Sequence, residues 1–380
     1  MIDFSLTDEQ KFISKLACDF AQKEMAPRAE HHDETAEFPW EVIKKAHAAG
    51  LLNTNIPEEF GGVGAGSVEV CLVAEELFAG DAGMGSSMLD NNLGLLPIII
   101  AGTDEQKERF LTPFVEKPIM AAFCLTESDA GSDVANLHTS WRRDGDEYVI
   151  NGSKMFVTNG SVASQYTVFT TAEPGKRNHR AFSAFVVPHD APGLSVGKKE
   201  NKMGHRCSDT SEVIFDEVRV PADHLLGGEG KGFKIAMQTL DGSRPNIGAS
   251  AIGIARAAME AAVQYAQERK TFGKPLAAHQ AIQFMLADMA IKIETARLIV
   301  WKAAWLTDQG LPNGYESSIA KCYAADMGMQ VTTDAVQILG GYGYSKEYPV
   351  ERYMRDAKLM QIYEGANQIQ RMVIARNVLA

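Results

Sequence analysis

No stretch of the chain has the length or apolarity to cross a bilayer as a helix. The longest candidate, residues 93–101, is interrupted by Gly94 and Pro97 and falls far short of the roughly 18–20 residues a span requires. Cysteine is sparse. The five cysteines, Cys18, Cys71, Cys124, Cys207 and Cys322, are odd in number, scattered and without a Cys-x-x-Cys pair. That pattern suits reduced, buried thiols in a cytoplasm rather than a disulfide framework. Positive charge is in deficit: 37 Lys and Arg against 49 Asp and Glu leave a net charge of -12. Such an excess repels nucleic acid and anionic membranes and argues against both as bulk partners. A local basic patch for a small anionic ligand is still allowed. The opening Met-Ile-Asp-Phe-Ser lacks the basic and apolar regions of a leader, so a cytoplasmic location is expected.

The common catalytic signatures are missing too. There is no HExxH, P-loop lysine motif, GxSxG or GxGxxG, and the nine histidines show no metal-ligand spacing. No metal site is expected.

What is present looks like an ordinary globular protein: 380 residues with 45% apolar and 23% charged content. That length predicts two or three domains. Residues 1–117 read as helical, with Leu6, Gln10, Ile13 and Leu16 recurring after Thr7-Asp8-Glu9, and further helices over 41–49, 68–78 and 104–116. Residues 118–230 switch to period two. Strands are predicted over 119–126, 147–150, 155–158, 166–171, 182–187 and 212–215, separated by turn signals at Asp144-Gly145, Asn151-Gly152, Asn159-Gly160 and Pro192-Gly193. A central β domain, barrel or sandwich, is the expectation. From 231 to 380 the helical period returns over 232–268, along the stripes Leu286…Ala304 and Ala320…Ile338, and over 366–379. Four long helices predict a C-terminal four-helix bundle. The fold class is therefore mainly α with a central β domain, and ligand sites are expected at the domain seams.

Four segments carry chemistry. Leu125-Thr126-Glu127-Ser128-Asp129-Ala130-Gly131-Ser132-Asp133 offers hydroxyls and backbone N–H groups in a turn. Gly152-Ser153-Lys154-Met155-Phe156-Val157-Thr158-Asn159-Gly160 puts an aromatic surface two residues before a hydroxyl, on one face of a strand. Glu268-Arg269-Lys270-Thr271-Phe272-Gly273 is cationic and breaks between two helices, and by itself reads as a solvated helix end. Tyr363-Glu364-Gly365-Ala366-Asn367-Gln368 follows Gln337-Ile338-Leu339-Gly340-Gly341. A Glu before Gly is, in isolation, a surface residue at a helix end.

Together, and in this order over essentially the whole chain, these blocks resemble the acyl-CoA dehydrogenase family, its medium- and short-chain branch above all. The resemblance implies an N-terminal helical domain, a middle β domain and a C-terminal bundle, assembled as a homotetramer, a dimer of dimers. It implies FAD, with Thr126 and Thr158 on the isoalloxazine edge and Phe156 packed on the ring. Many relatives carry Trp at that position. Arg269, Thr271, Gln280, Gln337, Gly340, Gly341 and Gln368 would hold the rest of the cofactor, several of them from a neighbouring subunit. Alanine at 366 departs from the family's usual threonine and loses one hydroxyl contact. Ser132, Asp241, Arg244, Tyr363 and Gly365 would meet the acyl-CoA substrate. Glu364 would take the α-proton while the β-hydride passes to flavin N5, and electrons would leave to electron-transferring flavoprotein. Some branches place the base on the helix near Asp241, but Ser243 there cannot serve.

Residues 86–96 would line the acyl cavity, and Asp90-Asn91-Asn92 is polar for an alkyl pocket. Asp and Asn chemistry predicts a turn or helix cap there. Alternatively Asp90 faces the substrate as a second acid. The family branch acting on alicyclic cyclohexene-carboxyl thioesters uses an aspartate in this segment while lacking the glutamate. A linear short or medium acyl group is the first expectation and an alicyclic one the alternative. An acyl-CoA oxidase is disfavoured because oxidases usually carry a further C-terminal domain. A non-catalytic relative is disfavoured by the intact Glu364 and the acidic charge.

Overall fold

The computed structural model of the chain describes residues 4–380; Met1, Ile2 and Asp3, which open the segment read for a leader, lie outside the described residues. Six helices come first: α1 (Asp8–Phe20), α2 (Ala29–Thr35), α3 (Trp40–Ala48), α4 (Ser67–Gly80), α5 (Ala82–Ala101) and α6 (Asp104–Glu116). Thr7 and Thr103 each begin a helix with a capping box, closed by Gln10 and Gln106. The hydroxyl and the glutamine amide thereby satisfy two backbone N–H groups that the first turn leaves bare. Helix α4 is apolar nearly all round because it is sandwiched between α1 and the later bundle.

Helix α5 corrects one expectation. Asp90, Asn91 and Asn92 form no turn or cap but sit buried in its middle. Their amides serve groups outside the helix instead. Asn91 Nδ2 donates to Asn53 Oδ1 at 2.5 Å, Asn91 Oδ1 accepts from the Ala121 N–H, and Asn92 Nδ2 donates to Thr54 Oγ1 at 3.3 Å. Side chains that read as turn formers here tie a buried helix to its neighbours.

The middle region holds β1 (Met120–Cys124), β2 (Ser140–Asp144), β3 (Glu147–Thr158), β4 (Ala163–Thr171), β5 (Phe182–Pro188), β6 (Leu194–Lys199), β7 (Thr210–Pro221) and β8 (Leu225–Leu226). They form one sheet in the order β6-β7-β3-β2-β4-β5-β8, with β1 parallel to β4. Asp144-Gly145 does turn the β2–β3 hairpin. Asn151-Gly152 does not: the two strands expected around it are the single strand β3. Gly152, at φ 141°, sits at a register shift against β7, so its freedom makes a bulge rather than a turn. A second shift lies between Lys154 and Val157, with Phe156 at φ 55°. Strands β2 and β6 were not expected, since both are largely polar.

The remaining helices are α7 (Gly232–Glu268), α8 (Gln280–Asp308), α9 (Gly314–Leu339), α10 (Val350–Met360) and α11 (Asn367–Val378), with a small hairpin of β9 (Lys270–Thr271) and β10 (Lys274–Pro275) between α7 and α8. Alanines 251, 255, 258, 262, 324 and 325 fill the α7–α9 seam with Ile293 and Val300 of α8. Small side chains let these long helices lie close. The fourth element of the bundle is a pair of short helices, not one long one. The chain breaks between α10 and α11 at residues 361–366, and Glu364 occupies that break. Among the described residues no helix is long and apolar enough to cross a membrane.

Candidate active site

Glu364 adopts φ 55° and Gly365 φ 90°. A non-glycine residue in the left-handed region carries about 1–2 kcal/mol of strain, so the surroundings must hold it there. Gln370 Nε2 donates to the carbonyls of Glu364 (3.3 Å) and Gly365 (3.1 Å). Lys321, fully buried on α9, donates to Gly365 O at 2.8 Å and to Asn367 Oδ1 at 3.0 Å. A β-carbon added at Gly365 would lie 2.5 Å from Gln370 Nε2. The turn is thus clamped from beneath, and its side chain projects upward between domains.

There the Glu364 carboxylate accepts a hydrogen bond of 2.7 Å from Ser243 Oγ on α7. Burial pushes its pKa up. The Ser243 hydrogen bond and the charges of Arg244 and Lys321 pull back without cancelling the rise. The same burial lowers the Lys321 ammonium to about 8, with the charge of Glu364 opposing the fall. Asp90 faces the same space from α5. Burial, then the neighbouring Glu364 charge, raise its carboxyl to about 7 against a hydrogen bond from Thr158.

Two cavities meet at these acids. The outer one, about 220 Å³, is lined by Thr126, Phe156, Thr158, Ser132, Arg244 and Tyr363 as well as Asp90 and Glu364. The inner one, about 210 Å³, begins at Asp90, Leu93 and Glu364 and continues between α4, α5 and α7. Thr126, Phe156 and Thr158 therefore line one cavity. Phe156 is 62% exposed, its left-handed backbone turning the ring out at the bulge of β3. The Thr126 turn is pinned to β3 by the Met155 N–H donating to Thr126 O (2.8 Å), and by a buried ion pair of Glu127 with Lys154 (2.6 Å).

Arg244 is 6% exposed, and its Nη1 pairs with Asp241 at 2.5 Å. Asp241 lines neither cavity and reaches the site only by orienting Arg244. Gly365 lines the outer cavity. Arg269, Thr271, Gly340 and Gly341 gather elsewhere, around a second recess with Tyr265 and Tyr342. Gln280, Gln337 and Gln368 are exposed and line neither this recess nor the two cavities. Gly340, at φ 63°, requires glycine, whereas a β-carbon at Gly341 would meet nothing within 4 Å. Ala366 caps α11 with no side-chain hydrogen bond.

The residues present fit FAD. An outward aromatic ring beside two threonine hydroxyls suits a flavin. Arg269, exposed and stacked 5.7 Å over Tyr342, suits a pyrophosphate. Sequence reasoning missed Lys321, Gln370 and the donor role of Ser243. A lysine inside the apolar stripe of α9, without a carboxylate one turn away, was the available signal.

Three family models cover the chain: acyl-CoA dehydrogenase N-terminal domain over 7–117, middle domain over 122–218 and C-terminal domain over 230–379. The chain belongs to the acyl-CoA dehydrogenase family and, with it, to the FAD-dependent oxidoreductases. A probable acyl-CoA dehydrogenase, fadE25 of Mycobacterium leprae, is 45% identical over 377 residues, 99% of this chain and 97% of that one. The solved structure of butyryl-CoA dehydrogenase from Megasphaera elsdenii is 45% identical and superposes with a TM-score of 0.97 over 100% of both chains. A glutaryl-CoA dehydrogenase in complex with glutaryl-CoA is 33% identical with a TM-score of 0.96, covering 100% of this chain and 97% of that one.

Proposed function

We propose that the enzyme desaturates an acyl-CoA thioester between its α and β carbons, with Glu364 as the base for the α-proton. The observation that carries this is the clamped Glu364–Gly365 turn, which holds one carboxylate where the two cavities join. A thioester lying through the outer cavity would set Arg244 and Ser132 against the CoA arm and its α-carbon beside Glu364. The backbone N–H of Glu364 would polarise the thioester carbonyl and acidify that carbon. Burial raises the proton affinity of Glu364 toward that of the developing enolate, and Ser243 keeps its oxygen aimed. FAD, when bound, accepts the β-hydride.

A short or medium linear acyl group is the first substrate reading, supported by likeness to a butyryl-CoA dehydrogenase. Asp90 favours a second reading. Facing the cavity with a carboxyl near neutrality, it would give a cyclic acyl group a second acid–base partner. Electron-transferring flavoprotein is proposed as the electron acceptor and a homotetramer as the assembly. Phe284, Ile291, Leu298 and Trp305 form an exposed stripe along α8, a face that another subunit would cover.

The test is anaerobic flavin bleaching over linear and alicyclic CoA thioesters, repeated with Asp90→Asn. Bleaching followed by slow reoxidation in air supports a dehydrogenase, whereas rapid peroxide formation points to an oxidase. Loss of the alicyclic activity alone in Asp90→Asn supports the second substrate.

A further inference from the structure

We infer that His205, which lines neither cavity, is a positioning residue for the reaction: through Ser86 it fixes the Tyr363 phenol that walls the site beside Glu364. This rests on the dehydrogenase reading and adds a residue to it. His205 sits, buried, in the loop between β6 and β7, wedged between α5 and α10. Its backbone N–H donates to Asp356 Oδ1 at 2.6 Å, and Ser86 Oγ lies 2.8 Å from its Nδ1. One residue thus joins the N-terminal helices, the sheet and the bundle behind the Glu364 turn.

The imidazole does more than fill space. Its backbone, at φ 47°, lies in the left-handed region, which Asn or Gly would hold at less cost. The ring meets Tyr363 edge to face with centroids 6.4 Å apart, and Tyr363 lines the outer cavity next to Glu364.

One atom sets the direction of the hydrogen bonds. His205 Nε2 faces the Asp356 carbonyl at 3.0 Å, which can only accept, so Nε2 carries the proton. Burial keeps the ring neutral, its pKa lowered to about 4 although Asp356 and Asp81 pull the other way. Nδ1 is therefore a bare acceptor and takes the Ser86 O–H. Ser86, four residues before Asp90 on α5, is also within hydrogen-bonding reach of the Tyr363 hydroxyl. With its own proton committed, Ser86 can only accept from Tyr363. That hydroxyl also meets Met360 Sδ at 3.4 Å, a weak acceptor. The chain from Asp356 through His205 and Ser86 thereby anchors the phenol. A ring one residue from the base, set loose against the acyl group, would misplace the α-carbon, and small misplacements are costly in rate.

The test is anaerobic single-turnover bleaching of the FAD-loaded enzyme over a concentration series of thioester, with melting midpoint and flavin content measured on each protein. The probe is butanoyl-CoA or cyclohexanecarboxyl-CoA, whichever bleaches the parent faster. His205→Leu removes both ring nitrogens, and Ser86→Ala removes the link to Tyr363. Each is expected to slow the limiting rate roughly tenfold, with half-saturation within about twofold of the parent. The double variant should bleach no slower than His205→Leu alone, because both changes break one chain. His205→Asn, whose amide can accept from Ser86 and whose backbone tolerates the left-handed region, should recover most of the rate. A residue that only holds the fold would lower the melting midpoint while the FAD-loaded fraction bleached at the parent rate, and that result overturns the inference. So do losses in the single variants that multiply in the double, or a His205→Asn protein as slow as His205→Leu. Should His205→Leu not retain FAD, Ser86→Ala and His205→Asn decide: the parent rate in the first, or equal slowing in both, overturns it. No bleaching of the parent by either thioester overturns the dehydrogenase reading instead.

Discussion

Two glutamates at helix seams show how one side chain serves opposite ends. Glu75 of α4 is buried against two guanidinium groups. Arg297 of α8 reaches it in a fork of 2.8 and 3.1 Å, and Arg256 Nε of α7 lies 3.2 Å away. Glu364 touches no cation; one serine hydroxyl at 2.7 Å is its direct partner, and its backbone is bent into the left-handed region. A carboxylate gripped by two arginines has its oxygens occupied and joins three helices. One given a single hydroxyl and partial burial stays able to exchange a proton. Surroundings, rather than residue type, separate a strut from a base.

That contrast can be broken at either glutamate. Glu75→Ala removes one carboxylate from two part-buried arginines, which keep Glu76, Glu260 and Glu294 as partners, and should cost about 2 kcal/mol, read as a lower midpoint in denaturant melts. Specific activity of the folded fraction should hold, and a fall in turnover as large as the fall in stability would contradict the division. Lys321→Met leaves the side-chain oxygen of Asn367 without its donor, leaves the carbonyl of Gly365 to Gln370 alone, and removes a positive charge near Glu364. The acid limb of the bleaching rate should move to higher pH, because a base with raised proton affinity ionises later. An unmoved limb would reduce Lys321 to a packing residue. Ser243→Ala removes a hydrogen bond to the charged form of Glu364, and should slow bleaching roughly tenfold and shift the same limb upward, with FAD retained.

A pH-dependent effect sharpens the picture at Asp90. Its carboxyl is raised to about 7 by burial and by Glu364. Between about pH 4, its value in an unfolded chain, and about 7, the native protein holds a proton that the unfolded chain has released. Stability contributed by this group therefore falls as pH rises through that window. Melting Asp90→Asn beside the parent at about pH 5 and about pH 8 should show the variant gaining relative stability at the higher pH. A difference that does not change between the two would contradict the assignment.

The sequence was most legible where apolar spacing was regular, as along α7, α8 and α9. It misled where polar side chains took unusual partners. Asp90-Asn91-Asn92 carries the composition of a turn, yet Asn91 bridges Asn53 and the Ala121 N–H inside a buried helix. Asn151-Gly152 has turn chemistry but makes a bulge, because β7 pairs with β3 on both sides of it. Helix α10 was overlooked, its charged residues including Glu351 and Arg355, which pairs with Asp33. The site divides in the same way. Thr126, Phe156 and Thr158 were readable as blocks. Lys321 was not, since its partners are a backbone carbonyl and an amide 44 and 46 residues away.

The most direct test of Glu364 is single-turnover bleaching of the FAD-loaded enzyme by an acyl-CoA under anaerobic conditions, comparing Glu364→Gln with the parent. The amide preserves size and can still accept from Ser243, but takes up no proton. The variant should still bind FAD and thioester while bleaching slows by roughly 10³-fold or more. Bleaching at the parent rate would show that another group removes the α-proton.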